Sequence, residues 1–335
     1  MTEEHPFAQY VRIIGRGPNL SRPLTEDEMY AAAGMIMKGE VEDLQLGAFL
    51  CILRLRAEVP EEGLGFVRAV RDTIEIPADS PEVDLDWPTY SGKKRQLPWF
   101  LLSALVLAQN GVKICMQGTE GHTPGRLYTS EALAFLGLPL AKSLVDAADQ
   151  IRASNFAYLP LHVLSPTLQD IIELKSIIGV RSPVNTFARM INPFSATYEM
   201  HTVFHPNYRD VHLETSLLLG QKHMAVFKGE GGEAERRPHK PVLVQSLRDG
   251  KRVDEEWPPM VADSTAQKDE EMDLDRLKAV WSDETEDDYA TNAVTGTMAI
   301  ALRLMQRADS IDDAEAEARK MWLGRDRERF SRLSG

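Results

Sequence analysis

Three consecutive cations, Lys93, Lys94 and Arg95, follow Ser91 and a single glycine, Gly92, in the stretch PTYSGKKRQLPWF. An apolar run precedes them and a helix-forming run follows, so the stretch reads as a turn from a strand into a helix. Such turns hold phosphates with backbone N–H groups, and here side-chain charge is added. A lysine grips phosphate as a point charge on a flexible arm. A second basic group, Arg236, Arg237 and Lys240, follows the turn FKGEGGE, and Arg181 opens the segment RSPVNTFARMINP together with Asn185. The alternative for the two basic groups is a solvated loop or turn, and for the Arg181 segment, with Pro183 and Pro193, a purely structural turn. At a helix start cations are mildly unfavourable, because the helix dipole is positive there, and this weighs against that alternative for Lys93 to Arg95.

Other candidates carry less chemistry. His122 is flanked by glycines at a strand end, where it either touches a ligand or serves the turn. Glu233 and Glu235 are two acids in a loop and read more readily as solvated than as a metal site. The eight histidines contain no HExxH pattern, so no metal site is expected. Cys51 and Cys115 both lie in apolar surroundings and are expected to be buried thiols of a cytoplasmic protein.

These groups must be positioned by two kinds of element. Through about residue 78 the chain reads as helical. Thr25 and Glu28 form a capping-box pattern, Gly39 stops that helix, and Pro60 suits the first turn of another. From about Val83 short apolar runs alternate with helical patterns: VDLDW, LPWFLLSALVLAQNG, VKICMQG, TSEALAFLG, FAYLP, TVFHP, YRDVHLETSLLLG and MAVFKG. This alternation predicts an α/β fold, a small all-helical N-terminal domain (1–78, completed by helices within about 165–195) and a larger α/β domain (79–335) with a mainly parallel sheet flanked by helices. Ligands of such sheets bind beyond the carboxyl ends of the strands, so loops beginning at Tyr90, Gly118 and Gly229 should share one rim. The stretch 254–288 reads as an acidic surface connection, and Ala290 to Leu323 as two helices.

Composition narrows the function classes. A net charge of −13 argues against a protein coated in nucleic acid, but the charge is uneven, with eleven acids and three bases from Asp263 to Asp288. A local basic face can still bind a polyanion. No run of 18 apolar residues exists, so no membrane partner is expected, and the acidic N-terminus does not read as a signal peptide.

The segment LTEDEMYAAAGMIMKGEVEDLQLGAFLCILRLRAEVPEE, with NGVKICMQG, SPVNTFARMINP, TVFHPNYRDV and ATNAVTGTMAIALRL, resembles the anthranilate phosphoribosyltransferases and their glycosyltransferase family 3 relatives. The resemblance implies a cleft between the two domains, lined near Arg181 and Asn185, and a dimer through the helical domain. It breaks at the chemistry. The family's Gly-Thr-Gly-Gly-Asp loop for phosphoribosyl pyrophosphate is similar in place to Tyr90–Lys94, its Lys-His-Gly-Asn to Met116–Thr119, its magnesium-holding acid pair to Glu233 and Glu235, and its anthranilate-contacting arginine to Lys175. The resemblance is stronger to a non-biosynthetic branch whose members are described as dimers binding nucleic acid.

Ser91, Gly92, Lys93, Lys94, Arg95, Gly118, Thr119, Arg181, Arg236, Arg237 and Lys240 are therefore expected to face single- or double-stranded nucleic acid, with Lys175, Asn185 and His122 in the cleft. No catalytic residue is assigned and no cofactor is expected; magnesium enters only if the chain is instead a transferase with another acceptor. A third reading is a protein-interaction scaffold using the acidic stretch. Apolar Phe49, Ile52, Leu53, Phe66 and Val70 on the N-terminal helices point to a homodimer through that domain.

Overall fold

Thr25 caps a helix as its spacing predicts: its hydroxyl accepts from Glu28 N, and the Glu28 carboxylate accepts from Thr25 N. The computed structural model describes residues 3–261, 269 and 271–332. The helical part contains α1 (Ala8–Gly15), α2 (Glu26–Met37), α3 (Asp43–Arg56) and α4 (Pro60–Arg71), with Pro60 in the first turn of α4. In the larger part β1 (Leu85–Thr89) leads to α5 (Phe100–Gln109), β2 (Ile114–Gly118), α6 (Thr129–Phe135), α7 (Leu144–Ser154) and β3 (Phe156–Pro160). Four short helices then return to the helical part: α8 (Leu161–Leu164), α9 (Pro166–Glu173), α10 (Lys175–Ile178) and α11 (Val184–Phe187). The Phe187 ring lies 5.3 Å from that of Phe66 on α4, so α11 closes over the N-terminal core. The chain continues through β4 (Tyr198–Thr202), α12 (Tyr208–Leu218), β5 (Met224–Phe227), β6 (Val242–Arg248), β7 (Lys251–Trp257), α13 (Asp275–Ser282), α14 (Asp288–Leu304) and α15 (Ile311–Leu323).

The sheet order is β3-β2-β1-β4-β5-β6-β7. The first five strands are parallel and β6 and β7 antiparallel, so the sheet is mainly parallel, with helices against it. Helix α5 is buried from Phe100 to Ala108 and packs between the sheet and α14. Among the described residues no helix is long and apolar enough to cross a membrane.

Several expectations need correction. The strand expected at TVFHP begins earlier, at Tyr198, and Val203 to Pro206 form the loop after it. β7 occupies the start of the stretch read as an acidic connection; residues 262–268 and 270 of that stretch lie outside the described residues. Cys51 is exposed, whereas Cys115 is buried as expected. Phe49, Leu53, Phe66 and Val70 are buried within their own chain and offer nothing to a partner. The outer face of α3 carries Leu44, Ala48, Cys51 and Leu55 instead, all exposed at helical spacing.

The sheet also buries two acids side by side. Asp86 of β1 and Glu199 of β4 are register partners, both inside. Burial pushes Glu199 up to about 7, against the pull of Arg71 and of hydrogen bonds from Asn192 and Ser216. Between about pH 4.5 and 7 the native chain holds a proton that the unfolded chain releases, so this group's stabilisation is complete below pH 4.5 and is lost as pH rises. Glu199→Gln should therefore gain on the wild type by about 2–3 kcal/mol between pH 4.5 and 8. Denaturant titrations at the two pH values check this; a constant difference contradicts it.

Candidate functional site

The loop from Tyr90 to Arg95 leaves the carboxyl end of β1 and meets the loop from Gly229 to Glu235 that leaves β5. The contact is close enough to demand glycine. A Cβ on Gly229 would stand 1.8 Å from the Glu233 carbonyl oxygen, and one on Gly232, at φ +90°, 2.6 Å from Ser91 Oγ. Gly92 is itself at φ +66°, which turns two successive N–H groups the same way. Ser91 N and Gly92 N both donate to Glu233 Oε1, at 2.7 and 2.6 Å. Arg189 Nη2 donates to Ser91 Oγ at 2.9 Å, and Arg126 Nη1 donates to the Ser91 and Gly92 carbonyls, each at 2.9 Å. Burial raises Glu233, while Arg189 and the two amides pull it down.

Lys93 does not face solvent. Its side chain is 2 % exposed, and Nζ lies 2.6 Å from Glu235 Oε1. The backbone of Lys93 pairs with Leu127 in both directions at 2.8 Å. The second oxygen of Glu235 accepts from Phe100 N at 2.9 Å, so one carboxylate neutralises the lysine and caps α5. Burial pushes Glu235 up to about 7, against Lys93. Arg236 is also internal. It binds Glu315 at 2.7 Å, donates to the Pro258 carbonyl at 2.6 Å and lies 4.9 Å from the Trp257 ring centre. Arg236 is thus a structural cation away from the cleft, and Lys93, although it borders the larger cavity of that cleft, has its charge held by Glu235. Gly118 and Thr119 are not open to a ligand. A Cβ on Gly118 would be 2.0 Å from the Thr89 carbonyl, and Thr119, wholly buried, donates to Gln169 Oε1 at 2.9 Å.

The other cations gather as the rim argument requires. Lys94, Arg95, Arg237 and Lys240 line one cavity of about 370 Å³, joined by two residues that sequence reasoning missed, Arg126 and Lys228. Glu230 is the acid on this wall. Beside it a cavity of about 280 Å³ is lined by Arg54, Arg126, Arg181, Arg189, Asn185 and Tyr208. Arg126, Gly231 and the exposed ring of Phe204 belong to both walls, so the two form one cleft between helical and α/β parts. Among the described residues Lys94, Arg95, Arg126, Lys228, Arg237 and Lys240 form no ion pair. Arg126 and Lys228 stand alone in the sequence, so no cluster flagged them; only the fold brings them to the others.

Of the residues expected in the cleft, Asn185 lines the smaller cavity; Lys175 lines neither cavity, and nor does His122. Burial and the nearby Arg181, Lys175, Arg189 and Arg126 hold it down to about 3, so it is neutral, and its Nδ1 is 3.1 Å from Tyr128 Oη. Lys175 Nζ donates to Thr123 Oγ1 at 2.9 Å, and Arg181 reaches the same oxygen at 3.5 Å. Asn185 Nδ2 and Arg189 Nη1 are buried with no hydrogen-bond partner among the described residues. Asp269 accepts from Leu97 N at 2.8 Å and is paired with Arg276. The C-terminal basic cluster is neutralised at home, by Asp283 for Arg325 and Arg327 and by Asp326 for Arg332.

A magnesium ion does not fit the acid pair as it stands. Glu235 carries an ammonium group at 2.6 Å, and Glu233 has an oxygen committed to two N–H donors.

Comparison with known proteins places this architecture. The helical-bundle domain of a glycosyl transferase family matches residues 8–74, and the a/b domain of such a family matches 100–322. An uncharacterised protein of Aquifex aeolicus is 30% identical over 225 residues, 66% of this chain and 68% of that protein. The uncharacterised Escherichia coli protein YbiB is 28% identical over 207 residues, 60% of this chain and 64% of its own length. Anthranilate phosphoribosyltransferase of Geobacillus kaustophilus is 28% identical over 229 residues, 68% of this chain and 67% of the enzyme. The fold of the Thermus thermophilus anthranilate phosphoribosyltransferase superposes with a TM-score of 0.80 at 22% identity, covering 99% of this chain and 98% of that one. With both domain models matched in order, the chain belongs to the glycosyl transferase family built of a helical bundle and an a/b domain.

Proposed function

We propose that the chain is a phosphoribosyltransferase-like protein whose pyrophosphate and metal positions have been given over to internal contacts, and that it binds nucleic acid through the basic cleft as a homodimer. The observation that carries this reading is the cleft itself: six cations with no ion pair among the described residues line one wall, while the two acids placed like a metal-holding pair are bonded to Ser91, Gly92 and Lys93. Cations on flexible arms bind phosphates without reading bases, so sequence preference should be weak. The exposed Phe204 ring between the two walls offers an unpaired base a face to stack on. The exposed stripe of Leu44, Ala48, Cys51 and Leu55 on α3 is the surface that a second copy would cover.

The test replaces Lys94, Arg95, Arg237 and Lys240 by alanine and follows a labelled single-stranded oligonucleotide by anisotropy at several salt concentrations. The control removes four exposed lysines elsewhere: Lys38, Lys142, Lys251 and Lys320. At roughly 0.7 in log–log salt slope per phosphate contact, the cleft variant should lose about 3 in slope and about two orders of magnitude in affinity at 0.1 M salt. Sedimentation of the same samples reports the dimer. Equal loss in the control removes the cleft, and no binding by the wild type at low salt removes the nucleic-acid reading in favour of a transferase with another acceptor.

A further inference from the structure

The two N–H groups of Ser91 and Gly92 converge on one point, and that point is already taken. Glu233 Oε1 accepts both, at 2.7 and 2.6 Å, and the Glu233 side chain is buried. Around it stand the groups that an anion site uses. Arg189 is the strongest positive charge acting on Glu233, holds Ser91 Oγ at 2.9 Å and keeps Nη1 without a partner among the described residues. Arg126 fixes the loop from the other side through the Ser91 and Gly92 carbonyls. A convergent amide pair backed by a buried guanidinium binds a carboxylate or a phosphate oxygen by the same chemistry.

We propose that Glu233 is an internal ligand of this loop: its carboxylate fills the Ser91–Gly92 amide cradle and so excludes free phosphate and pyrophosphate, making Glu233 a specificity-determining residue of the cleft. The glycines at 229 and 232 let the carboxylate reach the amides, because any side chain there would hold the two loops apart. The excluded ligands are small multivalent anions, which would otherwise compete for the cationic wall. Long polyanions are unaffected, because they engage Lys94, Arg95, Arg237 and Lys240 on flexible arms outside the cradle. The inference rests on the reading of the pyrophosphate position as given over to internal contacts and not on nucleic-acid binding, and its experiment uses no nucleic acid.

Sodium pyrophosphate without magnesium is titrated calorimetrically into wild type, Glu233→Ala and Glu233→Gln. Alanine empties the cradle, whereas the glutamine carbonyl still accepts both amides without the charge. Pyrophosphate affinity should rise about tenfold or more in Glu233→Ala and stay at the wild-type level in Glu233→Gln. A folded Glu233→Ala chain with no gain overturns the proposal. An equal gain in both variants also overturns it, because loss of charge alone then explains the effect. A second measurement needs no variant: the amide resonances of Ser91 and Gly92 in the wild type should not move when pyrophosphate is added. Movement of either resonance in the wild type shows the cradle open and overturns the proposal, whatever the variants do.

Discussion

Lys93→Ala should cost about 3–5 kcal/mol of stability at pH 8, because it leaves the Glu235 carboxylate buried and unpaired. Lys94→Ala, one residue on and exposed, should change stability by less than about 0.5 kcal/mol. The ratio of these two effects tells a structural cation from a binding one. Coulomb attraction at 2.6 Å is strong in a dry site, but desolvation of both ions offsets much of it. The loss therefore measures the stranded charge more than the worth of the pair. A Lys93→Met/Glu235→Gln double variant should recover about 2 kcal/mol of it, since the amide carbonyl still accepts from Phe100 N. Urea midpoints of the four chains decide this. If Lys93→Ala is as stable as Lys94→Ala, the buried pair is absent in solution.

Arg236→Ala should be of the same size, about 3–5 kcal/mol, and for a related reason. The guanidinium ties three elements together: Glu315 on α15, the Pro258 carbonyl after β7, and the Trp257 ring. Gly296 on α14 leaves room for it, since a Cβ there would stand 2.9 Å from Arg236 Cδ. Alanine leaves Glu315, a carbonyl and a buried tryptophan face without their partner. At temperatures where the variant is folded, its affinity for an oligonucleotide should stay within about twofold of wild type, since the side chain never reaches the cleft. A large loss of affinity with unchanged stability would return Arg236 to the binding face.

Residues that signal through local chemistry were legible in the sequence. The capping pair Thr25 and Glu28, Pro60 at a helix start, and the strand–helix alternation each act within a few residues, and each is realised. β7 was missed because five of its seven residues, KRVDEEW, are charged, as suits an edge strand that must not pair further. Burial was the second failure. Lys93, Lys94 and Arg95 are adjacent and chemically alike, yet one points inward, and nothing local marks which. The partner that decides it, Glu235, lies 142 residues away. Glu233 and Glu235 read as solvated acids for the same reason. Only the meeting of two loops across the sheet gives them partners.

That meeting bears on how such a chain can change over generations. Positions 93 and 235 cancel each other's charge inside the protein, so a substitution at either alone passes through a chain carrying an uncompensated buried ion. A return of the loop to small residues cannot proceed one step at a time without crossing that poorly folded intermediate. The two positions should therefore be inherited as a unit: in descendants of this chain, loss of the lysine should come with loss of the acid, and a lineage holding one without the other should be rare.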